Sequence, residues 1–323
     1  MTTPRAAVIY NPVKAQLNEL EKYVRIQEKQ QDWAPTTWHP TDADDLGLGA
    51  ARQALNKQPD VVIVAGGDGT IRAVANVLTN TKVPIALVPC GTGNLLARNL
   101  KTPLNDSETC IAAAFQGTTA CLDVGLIDLK RPQGAHCTQL FLVMAGLGLD
   151  ADMAAHTNTH MKKYLGWIAY SAPIARSVIS HKLFQFTYRI DHQEPARDRA
   201  HTVIVGNCGT LTGNILLIPD ASPTDGFLDV ALLKPKRRLG WGRIATRLAL
   251  QGMIRSLPLS QEILSYALKH HSLDYLQGSR FEATFDNPRA IELDGDSFGN
   301  VTGITAKILP GALMIKTAPK EHK

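Results

Sequence analysis

The stretch Val61-Val-Ile-Val-Ala-Gly66-Gly67-Asp68-Gly69-Thr70-Ile-Arg-Ala-Val74 decides the fold. Its opening apolar run has no polar break and reads as a strand buried on both faces, the kind found in parallel sheets. Three glycines then stop the strand, and residues 71–78 read as a helix. Glycine lets backbone N–H groups approach a ligand closely. A helix N-terminus adds unpaired N–H groups and the positive end of a dipole. Together these features make a cradle for phosphate. Asp68 inside it would repel an anion unless a divalent cation stood between them, so the pattern calls for magnesium, bound directly or through water. The competing reading is a plain strand-to-helix turn capped by Asp68.

The pattern recurs in Ile85-Ala-Leu-Val-Pro89-Cys-Gly91-Thr92-Gly93-Asn94-Leu95, again strand, glycine turn and helix. A first short strand over residues 6–10 ends at Asn11-Pro12. Helices are expected over 15–31 and 50–56, with an extended segment over 36–39. Continuous apolar strands linked by helices predict a parallel α/β sheet with both faces covered. Its three turns would share the carboxyl edge, where open α/β sheets bind ligands. No G-x-x-x-x-G-K-[ST] occurs, which excludes a Walker-type nucleotide hydrolase.

The remaining chain changes character. Phe184-Gln-Phe186-Thr-Tyr188-Arg-Ile190-Asp alternates with period two, as a half-buried strand does. Residues 201–206, 227–233, 281–285 and 290–293 also read as strands, with helical patterns near 161–180 and 238–276. The polar, Pro- and Gly-containing stretch at 128–135 is the expected boundary between an α/β domain, 1–130, and a β-rich domain, 131–309.

The chain has 323 residues, 44% hydrophobic and 20% charged, an ordinary globular balance for two domains. No run approaches the roughly 18–20 apolar residues of a membrane span. The apolar run in Met1-Thr-Thr-Pro-Arg-Ala-Ala-Val-Ile-Tyr-Asn-Pro12 is too short for a secretory signal, so a cytoplasmic protein is expected. Five scattered cysteines with no C-x-x-C pair read as reduced thiols. The net charge of +5 is unevenly spread: seven lysines and arginines and no acid lie between Lys234 and Arg255. Leu239-Gly-Trp241-Gly-Arg-Ile244 and the residues after it mix apolar positions at helical spacing with arginines. That suits either a peripheral contact with an anionic membrane or a packed surface helix with a solvated basic face. Nothing resembles a nucleic-acid reading module, so no nucleic acid is expected. The sequence leaves the oligomeric state open, with a homodimer among the alternatives.

Two acidic loops could carry chemistry. In Ile291-Glu-Leu-Asp294-Gly295-Asp296 a carboxylate could accept a proton from a hydroxyl. Pro219-Asp-Ala-Ser222-Pro-Thr-Asp225-Gly226-Phe227-Leu-Asp229 could hold a hard cation through one carboxylate and carbonyl oxygens. Both also read as simple turns. Three further matches are weaker. Gly146-Leu-Gly148-Leu-Asp-Ala151 fits a dinucleotide pattern but lacks the following βαβ unit. Gly295-Asp-Ser297-Phe-Gly299 fits a hydrolase elbow but precedes a strand pattern. His156 and His160 lack a third metal ligand.

The order of Asn11-Pro12, Gly66-Gly67-Asp68-Gly69-Thr70, Pro89-x-Gly91-Thr92-Gly93-Asn94, Gly148-x-Asp-Ala151, Asp225-Gly226 and Asp294-Gly-Asp296 resembles the diacylglycerol kinase catalytic-domain family. That family includes bacterial lipid kinases and sphingosine kinases, and the similarity extends to Pro310-Gly-Ala-Leu313. The resemblance implies an N-terminal nucleotide-binding α/β domain related to NAD kinase and phosphofructokinase. It also implies a C-terminal β-sandwich-like lipid domain, with residues 310–323 returning to the first. ATP is the implied co-substrate, magnesium the implied cofactor, and a lipid, most simply diacylglycerol, the implied acceptor.

Residue by residue, the resemblance implies that Asn11, Thr37, Gly66, Gly67, Asp68, Gly69, Thr70, Gly91, Thr92, Gly93 and Asn94 bind ATP. Asp225 would bind magnesium with the carbonyls of Ser222 and Phe227. Asp296 would be the general base, a position usually held by glutamate in bacterial members, and Asp68 its catalytic partner. Asp152 resembles a headgroup-contacting aspartate of the sphingosine kinases. Leu95 stands where many bacterial members carry aspartate. The competing functions are an NAD kinase, which shares the Gly-Gly-Asp-Gly turn, and a nucleotide-binding, membrane-associated protein without catalysis.

Overall fold

The computed structural model describes residues 3–148, 183–211, 215–234 and 273–318. The chain divides into two compact units, Met1–Val124 with Leu309–Lys323, and Gly125–Ile308. The division falls before the polar stretch read as a boundary. That stretch is a hairpin turn inside the second unit, closed by Arg131 N donating to Ala135 O at 2.8 Å. Proline and glycine mark a hairpin turn as readily as a linker.

The first unit runs β1 (Arg5–Tyr10), α1 (Leu17–Gln31), β2 (Ala34–Pro40), α2 (Leu48–Leu55), β3 (Val61–Gly66), α3 (Asp68–Leu78), β4 (Ile85–Pro89), α4 (Leu95–Asn99) and α5 (Ser107–Gln116), and then enters β5 (Thr118–Lys130). The strands pair in the order β2-β1-β3-β4, all parallel. Ala6, Val8, Val61, Ile63, Ala86 and Val88 form one core with Leu20 and Val24 of α1 and Ile111, Ala114 and Phe115 of α5. α2 and α3 pack on each other and on β1 and β3. Both faces are covered, which is why β3 and β4 contain no exposed position. From β1 the chain goes to β2 on one side and to β3 on the other. The sheet therefore has a switch point between β1 and β3, at whose carboxyl ends Asn11 and Gly66 stand.

The second unit contains β6 (His136–Phe141), β7 (Met144–Leu147), β8 (Phe184–Ile190), β9 (Ala196–Ala200), β10 (Thr202–Gly206), β11 (Leu228–Leu233), β12 (Leu273–Gly278), β13 (Arg280–Leu293) and the start of β14 (Asp296–Thr317). Its described pairings are antiparallel, with the path β12-β11-β10-β7-β13-β14. Phe141, Leu147, Phe186, Val203, Val230, Phe281, Ile291 and Val301 share its core. Phe184 and Phe186 are buried while Gln185 and Thr187 are less so, as the alternation requires. β14 returns the chain to the first unit, where Ile315 pairs in parallel with Ile85 of β4.

The helical pattern expected over 238–276 is not followed at its last four residues. Leu273 to Leu276 belong to β12, paired with β11. The backbone ladder overrides a short helix-like spacing of leucines. Asp152, His156, His160, the pattern at 161–180 and the basic residues 236–255 lie outside the described residues.

Candidate active site

At the carboxyl edge of the parallel sheet the turns after β1, β3 and β4 come together. Asn11 N donates to Ala65 O at 2.9 Å, and Cys90 N to Gly66 O at 2.9 Å, so each turn is tied to β3. Asn11 Oδ1 accepts the N–H groups of Val13 (3.0 Å) and Lys14 (3.1 Å), folding the first turn on itself. Asn94, at φ 49°, spends both ends of its amide on Gly91: Oδ1 accepts from Gly91 N at 2.9 Å and Nδ2 donates to Gly91 O at 2.8 Å. Arg98 Nε donates to Gly93 O at 2.8 Å. Asn94 thus shapes its turn, while Thr92 is exposed at the tip.

The two glycine turns interlock. A Cβ on Gly91 would come within 2.7 Å of Gly67 Cα and 2.8 Å of Asn94 Oδ1. A Cβ on Gly66 would lie 2.7 Å from Thr70 Cβ, and one on Gly93 2.7 Å from Asp68 Oδ2. Glycine is required here by turn packing against turn, before any ligand is considered. Gly67 is the N-cap of α3 and Asp68 its first residue, and no side chain caps this helix. Instead Asp68 Oδ1 accepts from Leu95 N at 2.6 Å, serving α4. The reading of Asp68 as a cap of its own turn is corrected: the carboxylate braces the neighbouring turn.

Sequence reasoning missed Lys14. Its ammonium nitrogen lies 3.5 Å from the position of a Cβ on Gly67, where the first turn meets the glycine turns. The only signal was a lysine shortly after a strand end. Thr37 lies in the body of β2, opposite Ala7 and short of the strand end at Pro40. Its hydroxyl is 3.0 Å from His39 Nε2. Burial holds His39 below the ordinary imidazole range.

In the second unit, Asp294 (φ 50°) and Gly295 (φ 88°) form the two-residue turn between β13 and β14, with Leu293 paired to Asp296. The Asp294 carboxylate is 5% exposed. Oδ2 accepts from Leu142 N (3.0 Å), and Oδ1 from Val143 N (2.8 Å) and Met144 N (3.1 Å). Asp294 N donates back to Met144 O at 2.9 Å. Asn207 holds the same segment from the other side, Nδ2 donating to Leu142 O at 2.9 Å. The hairpin is thereby fixed, and Asp296, exposed, opens β14. Ser297 follows inside a strand, so the hydrolase elbow, which needs strand, turn and helix, is excluded.

In the other acidic loop Asp225 Oδ1 accepts from Phe227 N at 3.0 Å, with Gly226 at φ 79°. Ser222 Oγ lies 3.1 Å from Thr224 Oγ1. Asp229, 5% exposed, receives Gln277 Nε2 on Oδ1 at 3.1 Å, and its buried Oδ2 has no hydrogen-bond partner among the described residues. Burial, with the nearby charges of Asp225 and Asp220, pushes its carboxyl up to about 6. Gln277, Asp229, Gly206 and Met144 lie in one row across β12, β11, β10 and β7, beside the Asp294 turn. Both acidic loops therefore border one edge of this sheet, three strand spacings or roughly 14 Å apart.

Among the described residues no cluster of three or more His, Cys, Asp or Glu side chains could hold a metal ion. A cation at the Asp225 loop would rely on one carboxylate and backbone oxygens, a hard donor set suited to magnesium. The unpartnered Asp229 Oδ2 and its raised pKa fit a positive charge nearby.

Residues 5–127 match the family described as diacylglycerol kinase catalytic domain, and residues 143–317 the YegS C-terminal NAD kinase beta sandwich-like domain. A Bacillus subtilis protein named diacylglycerol kinase is 24% identical over 93% of this chain and 92% of its own. A Stenotrophomonas maltophilia protein named "Probable lipid kinase YegS-like" is 30% identical over 72% of this chain and 74% of its own. The crystal structure of a diacylglycerol kinase from Bacillus anthracis aligns with TM-score 0.66 and 19% identity over 98% of this chain and 97% of its own, a likeness of fold. With a parallel α/β unit matching the first domain and an antiparallel β unit matching the second, the chain belongs to the diacylglycerol kinase catalytic-domain family.

Proposed function

We propose that this protein is an ATP-dependent lipid kinase that transfers the γ-phosphate of Mg-ATP to a lipid hydroxyl, with diacylglycerol as acceptor and phosphatidic acid as product. The observation that carries the reading is the pair of interlocked glycine turns at the carboxyl edge of the parallel sheet. Membership of a family whose relatives are named diacylglycerol and lipid kinases supports it.

In this reading the N–H groups of Gly66, Gly67, Gly69 and Thr70, with those of Thr92 and Gly93, receive the phosphate oxygens, and Gly91, whose N–H donates to Asn94 Oδ1, lines the cradle. Asn11 and Asn94 hold the turns in shape, and Thr37 contacts the nucleotide from β2. The lipid hydroxyl oxygen forms its bond to the γ-phosphorus. The bond from that phosphorus to the bridging oxygen breaks, ADP leaves, and the hydroxyl proton passes to the Asp296 carboxylate. Positioning and electrostatics supply most of the rate, as in other phosphoryl transfers. Magnesium, when bound, supplies positive charge to the phosphates. Asp68 at the turn, and Asp225 with the carbonyls of Ser222 and Phe227, would hold it. Asp152 contacts the headgroup, and the basic segment 234–255 rests on the anionic inner face of the membrane.

The test is transfer of radiolabelled γ-phosphate from Mg-ATP into dispersed lipid, with NAD as a parallel acceptor. Label in an organic-extractable product, identified as phosphatidic acid, is the expected result. Label in NADP alone would overturn the reading in favour of an NAD kinase. Nucleotide binding without transfer to any lipid would favour a non-catalytic, membrane-associated protein.

A further inference from the structure

Arg289 lies within residues 286–290 of β13. Before this stretch β13 pairs with β8, ending at Phe285 opposite Phe186, and after it with β7, starting at Ile291 opposite Leu147. On the other side Arg289 is opposite Val301 of β14, which is fully buried in the core, so the arginine leaves its strand on the core face. Its guanidinium carbon lies 4.8 Å from the ring centroid of Phe184, itself 4% exposed at the start of β8. A Cβ on Gly148, just past the end of β7, would meet the edge of that ring at 2.6 Å. Arg289 therefore stands at a corner of the apolar interior, where β7 ends and β8 begins.

A half-buried guanidinium needs partners, and among the described residues this one lacks them. Its Nε is buried with no hydrogen-bond partner, and the side chain forms no ion pair. Two acids of the same strand are engaged by other arginines, Glu282 by Arg189 and Arg280, and Asp286 by Arg197. Burial moves the pKa of Arg289 down, and no carboxylate opposes the shift. The face of Phe184 attracts the cation but offers its N–H groups no lone pair. A buried charge and an unmade hydrogen bond both oppose folding, so this arginine costs the free protein stability. An anion with two acceptor oxygens, gripped in the guanidinium fork, would balance both. Leu183, next to Phe184 in the chain, is a large apolar side chain left 37% exposed. Apolar surroundings favour an anion that carries hydrocarbon over a free ion.

We propose that Arg289 anchors a binding site for the phosphate headgroup of an anionic phospholipid, with the planar cation stacked on Phe184 and its N–H groups on two phosphate oxygens. The site is separate from the place of the acceptor hydroxyl in the kinase reading. Leu293, opposite Asp296, is four residues along β13 from Arg289, roughly 13 Å. Occupation of the site needs neither nucleotide nor phosphate transfer, so the proposal stands or falls apart from that reading.

Equilibrium binding of monomeric dioctanoyl phosphatidylmethanol to the full chain tests it, in wild type, Arg289→Met and Arg289→Lys. This lipid is anionic and is neither acceptor nor product in the kinase reading. Dioctanoylglycerol, octanoate and inorganic phosphate serve as comparison ligands. Wild type should bind the phospholipid more tightly than octanoate or phosphate. Arg289→Met should weaken the phospholipid about 10- to 100-fold and leave dioctanoylglycerol unchanged. Arg289→Lys, which keeps the charge but loses the fork, should fall between. Without ligand, Arg289→Met should melt at or above the wild-type temperature, and the phospholipid should raise the melting temperature of wild type more than that of the variant. Equal phospholipid affinity in wild type and Arg289→Met would overturn the proposal. So would an Arg289→Met protein that melts several degrees lower, because the guanidinium would then be a packing element on Phe184. Octanoate or inorganic phosphate bound as tightly as the phospholipid would overturn the headgroup as the ligand.

Discussion

The Asp68 carboxylate accepts a 2.6 Å hydrogen bond from the backbone N–H of Leu95, so the residue that opens α3 holds the start of α4. Two functions are superposed on this side chain, a brace and a charge, and substitution separates them. Asp68→Asn keeps an acceptor for Leu95 N but removes the charge. Asp68→Ala removes both. Thermal unfolding should show Asp68→Ala less stable by about 1–2 kcal/mol, with Asp68→Asn close to wild type. Phosphate transfer should fall steeply in both, because the charge proposed to organise magnesium is gone. An Asp68→Asn protein with full activity would reduce the residue to a brace.

Gly91→Ala should be worse than Gly67→Ala. The added methyl at 91 meets backbone and Asn94 at 2.7 and 2.8 Å, whereas at 67 the nearest atom is 3.3 Å away. Forcing the turns apart at 91 should cost about 1–3 kcal/mol in denaturant unfolding and weaken nucleotide binding. The reverse order would mean that the turns do not pack as described.

Cys90, between Pro89 and Gly91, is half-buried, with its Sγ 3.3 Å from Val88 O. A nucleotide in the glycine turns would cover it. Alkylation of the native protein should mark exposed Cys121 quickly and Cys90 slowly, and ATP should slow Cys90 further without affecting Cys121. Burial pushes the thiols of Cys110, up to about 12, and Cys208 upward, so both should stay unmodified until unfolding. Cys90 labelling that ignores saturating ATP would count against nucleotide at this edge.

The parallel unit was legible because its signals are local. Val61 to Ala65 and Ile85 to Val88 are unbroken apolar runs, each ended by glycines, and no long-range contact is needed to read them. The interlock was not legible, since Gly67 and Gly91 are neighbours only in space. The same holds for Lys14, whose ammonium gains meaning from a turn far along the chain. In the second unit Asp294-Gly295 announced a turn. That Asp294 faces three backbone N–H groups from 142–144 could not be read, because sequence shows the turn and not what it docks on. β12 was misread because the leucines at 273 and 276 carry a helical spacing that the ladder with β11 overrides.

Asp229 carries a pH dependence whose sign is fixed. Its carboxyl is raised to about 6 from 3.8, first by burial and then by Asp225 and Asp220, while Gln277 opposes the shift. The ionised form is therefore penalised in the folded state. That penalty is fully present above pH 6 and is relieved as pH falls toward 3.8. In chelator-treated protein Asp229→Asn, which keeps an acceptor for Gln277, should melt higher than wild type at pH 7.5. The gap should narrow by pH 5. Magnesium should raise the melting temperature of wild type more than that of the variant. A pH-independent gap would assign the difference to packing.

Asp294 and Asp296 sit on one hairpin and should fail in different ways. Asp296 is exposed at the start of β14, so Asp296→Ala should leave thermal unfolding and ATP binding unchanged while abolishing phosphate transfer. Asp294→Asn turns an amide N–H₂ toward one of three backbone donors that now share a carboxylate. A buried donor left facing a donor costs about 1–3 kcal/mol, so this variant should melt lower. Transfer should also fall, because the turn that carries Asp296 loses its anchor, while ATP affinity, proposed to be set in the other unit, should hold. Unfolding, ATP binding and turnover measured together distinguish the two. A stable Asp294→Asn with normal turnover would show that the hairpin keeps its shape without the buried carboxylate, and an active Asp296→Ala would remove that residue from the role of base.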